Sequence, residues 1–236
     1  MITHNQIKLI KSLNEKKNRE EQQLFVVEGK KMVDELIQSD FDVEQIYHTQ
    51  EYDINHPKAI KIAKKDLERI SFLSSNCDVL ALVKAKTKSS KIVENTIVLA
   101  LDSINDPGNL GTILRTADWF GVKQIICSKN TVDVYNPKVI QASMGSIFRV
   151  DIAYVDLETA LKNYKGKIYG AYLDGKNIYK ESLNSGVLLI GSESHGISKS
   201  LEKYVTNKVT IPKYGKAESL NAAIATAIVL SEFKRN

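Results

Sequence analysis

Cysteine is scarce in this chain. Cys77 and Cys127 are its two cysteines, far apart and in apolar surroundings. They lack the C-x-x-C spacing of a zinc or redox site and are too few for a disulfide scaffold, so buried free thiols are expected. Long apolar runs are missing as well. No stretch approaches the roughly 20 residues that cross a bilayer, and the opening MITHNQIKLIKSLNEKK is amphipathic and charged, unlike a secretory signal, which predicts a cytoplasmic protein. Several catalytic signatures are also absent: the G-x-x-x-x-G-K-[ST] phosphate loop, the G-x-S-x-G nucleophile elbow and the H-E-x-x-H zinc pair. Gly108 and Gly111 form only a G-x-x-G pair, short of the G-x-G-x-x-G dinucleotide fingerprint. These absences disfavour ATPase, NAD enzyme, hydrolase and metalloprotease.

What is present is an ordinary globular composition. The 236 residues are 43% hydrophobic and 26% charged, which excludes disorder and collagen and allows one or two domains. Lys and Arg total 33 against 28 Asp and Glu, a net charge of +5 that mildly favours a polyanionic partner. The basic residues cluster at Lys8, Lys11, Lys16, Lys17 and Arg19, at Lys30 and Lys31, and at Lys84, Lys86, Lys88 and Lys91. Each cluster reads either as a solvated face or as a phosphate contact.

The polar, basic stretch 84–95, KAKTKSSKIVEN, reads as a linker between residues 1–83 and 96–236. Before it, helical patterns near 5–14, 30–38 and 65–70 alternate with strand patterns near 24–27, 43–47 and 79–83, a small α/β unit. After it come strands near 97–101, 123–127, 167–173, 187–191 and 209–211, with helices near 109–119, 137–145 and 219–233. Apolar strand runs separated by helical patterns predict an α/β fold with a mostly parallel sheet covered on both faces.

Three segments carry chemistry. In DSINDPGNLGTILRTADWFG, 102–121, a strand turns at Asp106-Pro107-Gly108 into a helix for which Asn109 is the expected N-cap. Leu110, Ile113, Leu114, Ala117 and Phe120 fall on its sheet-facing side, and Thr112 and Arg115 lie off it. Arg115 is therefore either a surface arginine or a phosphate or substrate ligand beside a strand's carboxyl end. In GVLLIGSESHG, 186–196, a buried strand ends in small residues that carry Glu193 and His195 into a loop; the histidine has no metal-ligand partner at the right spacing. In VTIPKYGKAESLNAAIATA, 209–227, a strand reaches Pro212, and a helix capped by Ser219 begins with Ala222, Ala223, Ala225 and Ala227. Small side chains there suit either a good helix former or the close approach of another backbone or a cofactor.

In this order and spacing the three segments resemble the SpoU (TrmH-like) family of RNA ribose 2′-O-methyltransferases, within the knotted SPOUT superfamily. The resemblance covers about 96–235 and rests on Asn109-x-Gly111-x-x-x-Arg115, Gly191-x-Glu193-x-x-Gly196, and Ile211-Pro212 followed by Ser219-Leu220-Asn221. Residues 1–83 look like the family's N-terminal RNA-binding domain, with its ribosomal-protein-like α/β fold; Phe25-Val26-Val27-Glu28-Gly29 is the most recognisable piece. Ser192, where many relatives have asparagine, and Ser194-His195, in place of a pair containing glycine, depart from the family pattern.

The resemblance implies a C-terminal helix threaded into a deep trefoil knot, against the usual absence of knots. It implies S-adenosylmethionine as cofactor, with Gly191, Ile211 and Leu220 contacting it, no metal, and a homodimer in which an arginine of one protomer meets cofactor held by the other. Proton removal from the ribose hydroxyl would fall to Arg115, yet arginine is a poor base, with a reference pKa of about 12.5 or higher. An orienting and electrostatic role for Arg115 is preferred. Asn109 would position Arg115 or the ribose, Glu193 would orient the arginine or substrate, and Ser219 and Asn221 would shape the pocket. The expected substrate is structured RNA, ribosomal in preference to transfer RNA. A catalytically silent RNA-binding or ribosome-assembly factor and a small-molecule methyltransferase are the alternatives.

Overall fold

The computed structural model describes residues 2–74, 77–86 and 89–235; Lys88, part of the third basic cluster and of the expected linker, lies outside them. The chain runs α1 (His4–Ser12), α2 (Lys16–Gln22), β1 (Leu24–Glu28), α3 (Lys30–Ile37), β2 (Val43–His48), β3 (Ala59–Lys61), α4 (Lys64–Ile70) and β4 (Val79–Lys84). It continues with β5 (Ile97–Leu101), α5 (Pro107–Trp119), β6 (Gln124–Ser128), α6 (Pro137–Ser143), β7 (Asp151–Val155), α7 (Leu157–Asn163) and β8 (Ile168–Asn177). Last come β9 (Gly186–Ile190), α8 (Lys199–Glu202), β10 (Asn207–Thr210) and α9 (Ala222–Lys234). These elements form two compact units: residues 1–86 with 133–148, and residues 87–132 with 149–236.

The first unit is built on a four-stranded sheet of order β1-β4-β2-β3, antiparallel except for the β2–β3 pair. Strand side chains alternate between faces. On one face Val26, Tyr47, Leu80 and Leu82 pack with Ile10 and Leu13 of α1 and Leu67 and Ile70 of α4. On the other, Phe25 stacks on Tyr135 with ring centroids 4.3 Å apart, and Phe41 meets the Phe148 ring edge-on at 5.4 Å. The segment 133–148 thus supplies apolar cover to the N-terminal sheet. Arg19, grouped with the surface cations by its sequence position, is buried here at 4% exposure. Its guanidinium donates to the carbonyl oxygens of Leu13 and Asn14 at 2.8 Å and pairs with Asp133 at 2.7 Å.

The second unit is a six-stranded sheet of order β10-β8-β9-β5-β6-β7, parallel in every pair. Val98, Ala100, Ile126, Val187 and Leu189 face Leu157 and Leu161 of α7. On the opposite face of β8, Tyr169 meets Phe233 of α9 at 5.1 Å, and α9 packs along α5. The helix at 107–119 begins earlier than its apolar periodicity indicates: Asp106, not Asn109, is the N-cap, accepting the backbone N–H of Asn109 at 2.8 Å. Proline at the first helical position, where no intrahelical N–H bond is lost, moves the start upstream. Likewise Asn221, not Ser219, caps α9, its Oδ1 accepting from the N–H groups of Ala223 and Ile224. Both cysteines are buried free thiols. Among the described residues, no helix is long and apolar enough to cross a membrane.

Candidate active site

The loops leaving the carboxyl ends of β9 and β10 enclose a cavity of about 590 Å³ in the second unit. Ligands of open α/β sheets bind at that end of the strands. Gly191, directly after β9, lines the cavity, as do Ile211, Ser219 and Leu220. Glycine at 191 is a steric requirement: a Cβ there would overlap the backbone of Gly196 and Ile197. The close approach closes a small loop in which Ser192 and Gly196 exchange backbone hydrogen bonds at 3.1 and 2.9 Å. Gly196 has φ +67°, the left-handed region that glycine enters at least cost.

That loop lifts Glu193 toward two helix starts. Its Oε1 accepts from Asn109 Nδ2 at 2.9 Å, from Asn221 Nδ2 at 2.7 Å and from the backbone N–H of Ala222 at 3.3 Å. Asn221 Nδ2 also donates to Asn109 Oδ1 at 2.8 Å, which closes a three-residue network. Residues 109, 193 and 221 are therefore joined through side chains although the chain separates them widely. The Asn221 amide has two jobs, since its oxygen caps α9 while its nitrogen holds Glu193 and Asn109.

Arg115 is not part of this network. It is exposed on α5, does not line the cavity, and its side chain makes no hydrogen bond or ion pair among the described residues. With 3.6 residues per turn it shares the outward stripe of α5 with Thr112 and Trp119, and the Trp119 ring is 82% exposed. On the neighbouring α9, Ile224 is 53% exposed. His195, whose Nδ1 lies 2.8 Å from Ser194 Oγ, is on the cavity rim.

The cavity's charged lining is one-sided. Asp174, Glu193, Glu202 and Glu218 face it, against Lys213 as the sole lysine among the described residues. Sequence reasoning missed all but Glu193, because the other three come from β8, α8 and the 211–221 loop, and no local pattern links them. Apolar walls from Ile190, Ile211 and Val229 complete a space that suits a compact ligand with a flat ring and a positive charge. S-adenosylmethionine, an adenosyl group bearing a sulfonium, fits that description. Among the described residues, no group of three or more His, Cys, Asp and Glu is placed to hold a metal ion.

Comparison with known proteins points the same way. Residues 96–231 match the SpoU rRNA Methylase family, and residues 4–89 match the MRM3-like substrate binding domain. The chain is 30% identical over 228 residues to the 23S rRNA (guanosine(2553)-2′-O)-methyltransferase RlmP of Bacillus subtilis, covering 93% of this chain and 92% of that protein. Among solved structures, a TrmH-family protein from Porphyromonas gingivalis superposes with a TM-score of 0.92 at 36% identity, covering 100% of this chain and 99% of the other. An AdoMet-bound rRNA methyltransferase from Sinorhizobium meliloti superposes with a TM-score of 0.89 at 28% identity, over 100% of this chain and 96% of the other.

Proposed function

The chain belongs to the SpoU rRNA Methylase family, and from that premise we propose that it transfers a methyl group from S-adenosylmethionine to a ribose 2′-hydroxyl of ribosomal RNA. The observation that carries this reading is the Asn109–Glu193–Asn221 network built on the wall of a carboxylate-lined cavity. Bound in that cavity, S-adenosylmethionine supplies an electrophilic methyl group on a sulfonium. Gly191, Ile211 and Leu220 would contact the cofactor, and the carboxylates would favour the cationic cofactor over its neutral product. In-line displacement at the sulfonium methyl requires alignment and loss of the 2′-hydroxyl proton to water, so the task of the chain's own residues is to fix two reactants and stabilise the negative charge that develops on the ribose oxygen as that proton leaves. Arg115 is the group for the second task. A guanidinium offers several donors in a rigid fork and suits ribose and phosphate oxygens as an orienter, not as a base. Asn109 and Glu193 position the substrate, and Ser219 and Asn221 shape the pocket.

Arg115 projects from a surface stripe instead of into the cavity of its own chain, which supports a composite site. The exposed Trp119 and Ile224 lie on α5 and α9, and α9 is apolar around nearly its whole circumference. Such a helix seeks cover on every side. A homodimer that buries these helices brings Arg115 of one protomer to the cofactor of its partner. The same reading carries the trefoil knot, into which α9 and the loop preceding it would be threaded. It also keeps a cytoplasmic location for the enzyme.

The experiment is transfer of labelled methyl from S-adenosylmethionine to total RNA from unmodified cells, followed by alkaline hydrolysis. Label in alkali-resistant dinucleotides from large ribosomal RNA is the expected result. Label confined to transfer RNA overturns the ribosomal assignment, and label in alkali-sensitive nucleotides overturns ribose chemistry altogether.

A further inference from the structure

The basic residues of the N-terminal unit fall into two classes. Arg19 is interior and committed to Asp133. Lys16 and Lys17 each have a carboxylate one turn away, Glu20 at 3.6 Å and Glu21 at 3.7 Å. Lys30 pairs with Asp78 at 3.5 Å, Lys84 with Asp42 at 2.8 Å, and Lys86 with Asp40 at 2.7 Å. Six of the eleven cations in the clusters that the sequence shows are thus locally neutralised in the fold, whereas Lys31 on α3 is exposed with no ion pair among the described residues.

Helices α1 and α4 differ. They pack against each other over one face of the sheet through Ile10, Leu13, Leu67 and Ile70, and their outward sides carry Lys8, Lys11, Lys64 and Lys65. All four lysines are exposed and have no ion pair among the described residues. On α1, positions 4, 8 and 11 form one stripe opposite buried Ile10 and Leu13. On α4 the negative charges are Asp66, which Arg69 meets at 3.5 Å, and Glu68. Beneath them Glu28 is turned inward, accepting from Ser71 Oγ at 2.6 Å and from the Phe72 N–H. Lys64 and Lys65 occupy the first turn of α4, where the helix dipole disfavours cations. Local stability therefore gives no reason for them.

Resting on the methyltransferase reading above, we propose that the α1–α4 face, through Lys8, Lys11, Lys64 and Lys65, is the surface on which the N-terminal unit holds the phosphate backbone of the RNA substrate. Four exposed ammonium groups without an ion pair among the described residues, Lys11 being near enough to the inward Glu28 carboxylate to favour its charged form, match a polyanion by charge over two adjacent helices, and phosphate contacts of this kind set affinity and salt dependence more than sequence choice.

The test measures binding of the full chain to an unmodified 23S rRNA transcript across a salt series. It compares wild type, the quadruple Lys8→Gln, Lys11→Gln, Lys64→Gln, Lys65→Gln variant, and a Lys16→Gln, Lys17→Gln control. The quadruple variant is expected to weaken binding at least tenfold at about 0.15 M salt and to flatten the log–log salt slope by roughly 3 units, at about 0.7–0.9 for each phosphate no longer neutralised. The control is expected to stay within about twofold of wild type, and S-adenosylmethionine affinity, read by calorimetry, to be unchanged in all three. Unchanged slope and affinity in the quadruple variant, with a wild type that binds and methylates the transcript, overturns this surface alone. Equal losses in the quadruple variant and the control overturn it too, since they show general charge and not this face. A wild type that neither binds nor methylates the transcript overturns the enzymatic reading together with the surface.

Discussion

Gly191 shows how one residue sets the shape of the cavity. Its missing Cβ allows the backbone at 196–197 to cross closely enough for Ser192 and Gly196 to pair, and that crossing presents Glu193 to Asn109 and Asn221. Gly191→Ala is expected to lower unfolding free energy by about 1–3 kcal/mol, the usual cost of forcing atoms into a packed site. It should also remove measurable S-adenosylmethionine binding; denaturant melts and calorimetry check the two effects separately. Retained affinity would mean that the loop tolerates a shift and that its geometry is not what holds the cofactor. The sequence makes a turn after β9 legible, because Gly191 and Gly196 bracket it, but which backbone crosses Gly191 depends on the tertiary path. The same holds for Arg19. In sequence it is one cation among several, and only the fold shows that the carbonyls ending α1 and the carboxylate of Asp133 surround it.

At the scale of elements, the strands with unbroken apolar runs are readable. β5 and β9 are buried along most of their length and stand in the sequence as IVLAL and GVLLI. β7 is not legible in the same way. As DIAYV, it alternates exposed and buried positions on the sheet edge and offers no unbroken apolar run. Nor can periodicity show that residues 133–148 cover the N-terminal sheet, since Tyr135 and Phe148 find Phe25 and Phe41 across a long stretch of chain. Arg19 ties α1, α2 and that segment together. Arg19→Ala leaves Asp133 and the Leu13 and Asn14 carbonyls without their donor, and is expected to destabilise the protein by about 3 kcal/mol. The RNA salt slope should stay as in wild type, because a buried arginine contacts no phosphate. Chemical denaturation and the binding series above check both; a flattened slope with unchanged stability would return Arg19 to the surface class.

At the scale of the whole molecule, the separation of Arg115 from the Glu193 network has a consequence that subunit mixing can read. If the arginine serves the partner's cavity, each site takes Glu193 from one protomer and Arg115 from the other. An Arg115→Ala protomer paired with a Glu193→Gln protomer then holds one site with both groups intact and one with neither. Co-expressed with distinct tags, random pairing makes half of the dimers mixed, so activity should recover to roughly a quarter of wild type, although either variant alone is nearly inactive. If Arg115 acts within its own chain, every cavity in the mixture lacks one group and no activity returns. Purifying the doubly tagged dimer sharpens the contrast, since its activity should approach about half that of wild type. The first outcome is the one expected under the proposed composite site, because Arg115 does not line the cavity of its own chain and shares its helix stripe with an exposed indole.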